Sequence, residues 1–115
     1  MKHVSLLVVV LLVGCSPSWS EGPYEIYWID GVKSLGFNIG DGAYIGRIDE
    51  PRVINANEKF ISVCACPEGS CAYYYIDRIK DHKFAEPTEF VFGPYTHEAF
   101  SGLQQKLSLP ELSAE

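Results

Sequence analysis

Short runs of alternating apolar and polar residues, separated by turn-forming residues, fill most of the chain after Tyr24. Successive side chains of a strand point to opposite faces, so this period of two predicts β-strands. The intervening Gly, Asp, Asn and Pro residues favour the backbone conformations that turns require. The pattern predicts strands over residues 24–30, 32–39, 43–48, 52–54, 59–66, 71–79 and 89–92.

The connections between these strands are short. Strands that follow one another closely in sequence are usually antiparallel neighbours, because a parallel pair needs a long crossover. We therefore expect a mainly β (α+β) fold, an antiparallel meander sheet of five to seven short strands with one C-terminal helix packed on it.

The predicted helix follows a change of period near Thr96, which is a good N-cap residue. Phe100, Leu103 and Leu107 recur at spacings of three and four and so share one helical face. Pro110 ends the segment. A helix this short is marginal alone in water, so its apolar face should dock on the sheet.

The amino-terminal segment has a different character. Residues 4–13 are almost wholly apolar, but this run is far shorter than the roughly 20 residues that span a bilayer. Lys2 precedes the run and the small residue Gly14 follows it, as in a secretory signal peptide. The sequence Leu12-Val13-Gly14-Cys15 resembles the lipobox of bacterial lipoproteins.

This resemblance implies cleavage between Gly14 and Cys15 and a covalent diacylglycerol, with a further N-acyl chain, on Cys15. Two or three acyl chains hold a protein firmly at a membrane, whereas one chain binds marginally. The predicted organisation is a signal peptide over residues 1–14, a lipidated cysteine and polar tether over residues 15–23, and a small β domain over residues 24–115.

The same resemblance bears on localisation. Ser16 occupies the position at which Gram-negative bacteria sort lipoproteins, and it is not the Asp associated with inner-membrane retention. The cell envelope is therefore expected, with the outer membrane favoured if the host is Gram-negative.

The net charge of the chain indicates which kinds of molecule it could bind. Without residues 1–14 the chain keeps eight Lys and Arg against fifteen Asp and Glu, a formal charge of about −7. This sign argues against nucleic acid and against electrostatic adhesion to anionic lipid. It would suit a basic protein partner.

Three cysteines remain beside Cys15, in an oxidising compartment. Cys66 and Cys71 flank a predicted hairpin loop, and cross-strand neighbours there are close enough for a disulfide. Cys64 shares a strand face with Cys66, so pairing of Cys64 with Cys71 competes. The spacing does not fit a structural zinc site, and no metal site is expected.

No sequence motif indicates a particular catalytic reaction. His82 and His97 are the two histidines outside the signal segment, one in a charged loop and one at the start of the helix. The acidic residues fall mostly at strand ends, where Asp commonly bonds its own backbone. We therefore expect no catalytic residue and no cofactor other than the covalent lipid.

Aromatic residues are the better indication of a binding surface, because Tyr and Trp are enriched at protein interfaces. Tyr74 cannot share a strand face with Tyr73 and Tyr75, so one side of this triplet must face away from the other. The candidate binding residues are Tyr27, Trp28, Tyr73, Tyr74 and Tyr75.

Residues 73–77 and the segment Phe92-Gly93-Pro94-Tyr95-Thr96 resemble small uncharacterised bacterial lipoproteins. The resulting hypothesis is a lipid-anchored, non-catalytic envelope protein that binds another envelope protein, as an accessory factor or an immunity-type inhibitor. One alternative is an envelope hydrolase or metal-dependent enzyme, which would need His82 or His97 joined to several acids. Another is a purely structural lipoprotein.

Overall fold

The computed structural model describes residues 19–112. The predicted lipobox, the cleavage site at Gly14 and Cys15 and the first part of the tether lie outside these residues. Within them the chain forms strands β1 (Ser20–Glu21), β2 (Tyr24–Ile29), β3 (Val32–Gly40), β4 (Ala43–Asp49), β5 (Pro51–Ala56), β6 (Phe60–Ala65), β7 (Ala72–Asp77) and β8 (Val91–Tyr95), and helices α1 (Pro87–Phe90) and α2 (His97–Leu107).

The strands form two antiparallel sheets of four, in the orders β1-β2-β3-β4 and β5-β6-β7-β8. We call them sheet A and sheet B. The expected β-rich fold with a C-terminal helix is confirmed, and each sheet is a meander. The expectation of one sheet of five to seven strands was wrong, because the chain changes sheets between β4 and β5.

Glu50 is the residue at which the chain changes sheets. Its backbone is left-handed, with φ of 53°, which turns the chain sharply before Pro51. Its N–H donates to the Lys33 carbonyl in sheet A at 2.8 Å, and its carbonyl accepts from Cys66 N–H beyond β6 at 3.0 Å. One residue therefore satisfies hydrogen bonds on both sides of the junction.

The two sheets share one core. Alternate residues of the central strands point inward, so each sheet buries one apolar face. Phe90 from α1 joins this core and is fully buried. The sheet residues of the core are Tyr24, Leu35 and Ile48 from sheet A and Ile61, Val63, Ala65 and Ile76 from sheet B.

A β-bulge in sheet A brings a charge into this interior. Leu35 pairs with Ile48 and Gly36 pairs with Gly46, which leaves Arg47 as the extra residue. A bulge redirects side chains locally. Arg47 consequently lies beside its neighbour Ile48 on the buried side, where 9% of it is exposed.

Asp81, in the loop after β7, neutralises Arg47. Arg47 donates to both carboxylate oxygens of Asp81, at 2.8 and 3.0 Å, and Tyr24 donates its hydroxyl to Asp81 at 2.7 Å. The guanidinium also lies 4.4 Å from the centre of the Phe90 ring. Burial, followed by the hydrogen bond to Asp81, raises the pKa of Tyr24 above its ordinary value.

The sequence pattern predicts that the domain begins at Tyr24, but residues before Tyr24 are also structured. Ser20 and Glu21 form β1 against β2, and the Trp19 carbonyl accepts from Ile26 N–H at 3.2 Å. Trp19 packs against the core. A single large apolar residue among Ser and Pro gave no periodic signal, which is why the sequence pattern placed this segment in the tether.

The carboxy-terminal segment departs from the pattern once. A strand was predicted from residue 89, but Pro87–Phe90 forms a single helical turn and β8 starts at Val91. Pro87 suits the first helical position. Glu89 stabilises the turn by accepting the Glu86 N–H at 3.0 Å.

Helix α2 forms where it was predicted and begins after Thr96, whose hydroxyl accepts from Ala99 N–H at 3.1 Å. Phe100 is its buried residue and stacks on Tyr73 of β7, with ring centres 5.4 Å apart. Asn57 donates to the carbonyl of Ser108, the C-cap, at 3.1 Å. The helix is therefore held against the outer face of sheet B.

Candidate functional site

The structure does not bring the five predicted aromatic residues into one surface. Tyr74 packs against the core. Tyr73 and Tyr75 lie on the outer face of sheet B, as alternation along β7 requires. Tyr27 lies on the outer face of sheet A, and Trp28 is 67% exposed near the end of β2.

The outer face of sheet B carries a group of aromatic rings around Tyr75. Phe92 stacks on Tyr75 with ring centres 4.9 Å apart, and Tyr95 lies parallel to it at 6.3 Å. Phe60 meets Tyr75 edge to face at 5.7 Å. All four side chains are only partly buried. We call these residues, Phe60, Tyr75, Phe92 and Tyr95, the aromatic surface.

The central ring of the aromatic surface, Tyr75, stays uncharged at neutral pH. Burial, followed by the proximity of Tyr95 and Asp77, raises the pKa of Tyr75 above its ordinary value. Its phenol therefore remains a neutral donor and acceptor. A partly exposed group of packed rings is suited to bury against a partner.

A groove of about 430 Å³ lies beside this surface, between α2 and the outer face of sheet B. Its volume is within the range of small-molecule pockets. Tyr73 forms part of its floor, and His97 meets the Tyr73 ring edge to face with ring centres 5.3 Å apart. Other residues lining it are Arg52, Val53, Cys64, Ser101, Gln104 and Leu112.

The three cysteines of the domain also line this groove. Cys66 is joined to Cys71 by a disulfide that closes the turn between β6 and β7. Cys64 is a free, partly buried thiol within residues 19–112. The structure therefore has the Cys66–Cys71 pairing rather than the competing Cys64–Cys71 pairing.

The two histidines occupy separate sites. His97 lies in the groove, where no Asp or Glu of the described chain lines the wall. His82 lies in the loop after β7, in a shallow depression with Lys80 and Glu89, and its Nδ1 accepts from Phe84 N–H at 3.2 Å. Between Trp19 and Leu112, no three His, Cys, Asp or Glu residues are grouped to hold a metal ion.

The outer face of sheet A has its own aromatic pair. Tyr27 and Tyr44 are stacked with ring centres 4.6 Å apart, above Gly36 of β3. Tyr44 donates its hydroxyl to Glu25 at 2.7 Å, and this hydrogen bond raises the pKa of Tyr44. These contacts are internal to sheet A and leave Tyr27 partly buried.

Sequence reasoning missed Phe60 and Phe92. The tyrosine triplet drew attention to β7, but the neighbours of Tyr75 come from β6 and β8. Alternation assigns Phe60 to one face of its strand. The aromatic surface appears only once the cross-strand partners are known.

The fold and the site define a small antiparallel β domain with a partly exposed aromatic surface beside a groove. Comparison with known proteins does not assign this domain to a family. Comparison with models of known protein families, with curated protein sequences and with solved structures finds no match. Within the described residues, no helix is both long enough and apolar enough to cross a bilayer.

Proposed function

We propose that this chain is a lipid-anchored protein of the cell envelope that binds another protein through the aromatic surface. The anchor is the acylated Cys15 implied by the resemblance of Leu12-Val13-Gly14-Cys15 to a lipobox. The observation that carries the binding role is the group of partly exposed rings around Tyr75 on sheet B.

The aromatic surface has the properties of an interface centre. Tyr and Phe supply large contact areas and lose little conformational entropy, because each has two side-chain torsions. Stacking of Tyr75 on Phe92 fixes both rings before a partner arrives, which lowers the entropic cost of binding. The formal charge of about −7 on the mature chain favours a partner with a basic surface.

The groove favours binding over catalysis. Nucleophilic catalysis by Cys64 or Ser101 would need a base that a third group orients. His97 shares the groove with both, but its ring packs edge to face on Tyr73, and Gln104 is an uncharged polar side chain of the same groove rather than a carboxylate that would stabilise an imidazolium. We therefore propose a non-catalytic role, as an accessory factor or an immunity-type inhibitor. The outer membrane is the proposed location if the host is Gram-negative.

Lipidation is tested by replacing Cys15. The Cys15→Ser variant should lose palmitate labelling and the mass of the acyl chains, and it should leave the membrane fraction. Cys64→Ser is the matched control and should keep all three properties. Unchanged labelling and fractionation of Cys15→Ser would overturn the anchor.

The binding role is tested by photo-crosslinking in intact cells. A benzophenone amino acid at Tyr95 should give a discrete protein adduct, which the second substitution Phe92→Ala should reduce at least several-fold. The same amino acid at Tyr44, on the outer face of sheet A, is the control and should give none. Absence of an adduct from Tyr95, or an identical adduct from Tyr44, would contradict the proposed surface.

A further inference from the structure

The connection between β2 and β3 exposes two large apolar side chains. Asp30 and Gly31 form a two-residue turn with φ of 52° and 80°, which closes the hairpin tightly. On the strand that leads into this turn, Trp28 is 67% exposed and Ile29 is 54% exposed. We call residues 28–32 the hairpin tip.

The amino-terminal chain leaves the domain toward the hairpin tip. β1 runs antiparallel to β2, with Ser20 opposite Glu25, and the Trp19 carbonyl accepts from Ile26 N–H. Each step back along the chain from Ser20 is therefore a step forward along β2. Trp28 lies two residues beyond Ile26 in that direction, about 7 Å further on.

The length of chain before Trp19 limits how far Cys15 can be from this end of the domain. Four residues span at most about 14 Å even when fully extended. Acyl chains on Cys15 would therefore hold Trp19 within about 14 Å of the lipid surface. The direction in which β1 runs back along β2 favours the hairpin end of sheet A, not the Tyr24 end, as the part nearest the lipid. The exposed Trp28 and Ile29 lie at that end.

We propose that the hairpin tip inserts Trp28 and Ile29 into the interfacial layer of the phospholipid bilayer, an inference that rests on the proposed lipid anchor. Trp is enriched at this layer, because its ring is apolar and its N–H can bond the headgroups. Lys33, which pairs with Trp28 across the hairpin, balances the charge of Asp30 at the turn. The tip thus needs no anionic lipid.

The opposite end of β2 supplies a control. Tyr24 begins β2 and bonds Asp81, so the loop that contains Asp81 lies away from the hairpin tip. Phe84 in that loop is 81% exposed. A Trp at position 84 would be as accessible as Trp28 but would face away from the membrane.

The test uses the full chain, purified with its lipid and reconstituted in phosphatidylcholine vesicles that contain brominated acyl chains. Trp19→Phe leaves Trp28 as the fluorophore of the domain, and W19F/W28F/F84W moves it to the far loop. Trp28 should lose most of its fluorescence, with stronger quenching by bromine near the headgroups than near the chain ends. The F84W indole should lose little.

The outcomes separate the hairpin tip from the anchor. If mass spectrometry shows acylated Cys15 but Trp28 is quenched no more than the F84W indole, the tip does not insert and the anchor stands. If Cys15 carries no acyl chain, the inference falls together with the proposed function. A benzophenone at Ile29 that crosslinks to protein instead of lipid would also overturn the inference.

Discussion

Arg47 and Asp81 form an ion pair whose two side chains are both fully buried, with Nη2 and Oδ1 2.8 Å apart. They come from different parts of the chain, a bulge in sheet A and the loop after the third strand of sheet B. Together with the hydrogen bond from Tyr24 to Asp81, the pair therefore joins sheet A to the loop after β7 by polar contacts beside the apolar core.

Removing one charge of this pair should be costly. Asp81→Asn leaves the Arg47 guanidinium buried without a counter-ion, and breaking a buried pair in this way costs about 3–5 kcal/mol. Denaturant unfolding at pH 7 should show a loss of that order. Glu21→Gln is the control, because Glu21 bonds Arg78 at 3.4 Å at the surface, and it should cost less than about 1 kcal/mol.

Stability should fall at alkaline pH because of Tyr24, whose pKa is raised in the folded state. The unfolded chain releases this proton first, near pH 10, so the folded state holds more protons above that pH. The contribution is complete below pH 10 and falls as the pH rises toward the folded-state pKa. At pH 11 the loss should be about 1 kcal/mol.

Tyr24→Phe isolates this effect. The variant lacks the phenolic hydroxyl but keeps the aromatic ring and the Arg47–Asp81 pair. The free energy of unfolding of the native chain should fall more steeply between pH 9 and 11 than that of the variant. Parallel pH profiles would show that Tyr24 does not carry the alkaline sensitivity.

Replacing Ser62 with Ala should stabilise the fold. Its hydroxyl is fully buried and has no hydrogen-bond partner among the described residues. An unsatisfied buried polar group is unfavourable, so Ser62→Ala should raise the free energy of unfolding by about 1 kcal/mol.

Ser34→Ala is the matched comparison for Ser62→Ala. Ser34 is also buried, but its hydroxyl donates to Asp49 at 2.7 Å. Losing this bond to a charged group should cost about 1.5–3 kcal/mol. Thermal unfolding should thus separate the two variants in opposite directions, and a loss in both would show that Ser62 has a partner in solution.

Gly36 should not tolerate a side chain. A Cβ there would overlap the ring of Tyr27, with Cδ1 at 2.9 Å, and would lie 3.2 Å from the Ile45 carbonyl oxygen. Gly36→Ala should therefore destabilise the fold by about 1–3 kcal/mol. The near-ultraviolet signal of the stacked Tyr27 and Tyr44 should weaken with it.

Gly102→Ala provides the contrast to Gly36→Ala. Gly102 lies in α2, and a Cβ there would meet no atom within 4 Å. Ala is favoured over Gly in a helix interior by about 1 kcal/mol, so this variant should be stabilised. If both glycine variants behaved alike, the tight contact between Tyr27 and β3 would be in doubt.

Local pattern was sufficient for most of the elements. The alternation of β6 predicted its strand, and Thr96 with the spacing of Phe100 and Leu103 predicted α2. These signals depend on neighbours within a few residues, which a single sequence displays directly.

Local sequence patterns did not predict that the strands divide into two sheets. The turn at Glu50 resembles other turns of the chain, and its two bonding partners, Lys33 and Cys66, are each sixteen or more residues away. Alternation likewise showed that Tyr74 opposes Tyr73 and Tyr75 but not which side the core covers. Both answers depend on which surfaces meet after collapse.

A bulge residue gives no hint in sequence that it is buried. Arg47 lies between Gly46 and Ile48 in a strand where alternation alone would place it on the face opposite to the buried Ile48. Its position depends on the register of β3 and β4, and its acceptor comes from a distant loop. The buried Arg47–Asp81 ion pair was therefore absent from the prediction.

The change of sheets at Glu50 also orders events during synthesis. Ribosomes make the amino end first, so sheet A has all of its strands before any strand of sheet B exists. Until Asp81 emerges, Arg47 is a cation without its acceptor. The first half of the newborn chain can thus pair its strands early, yet it closes its interior only after most of the second half has been made.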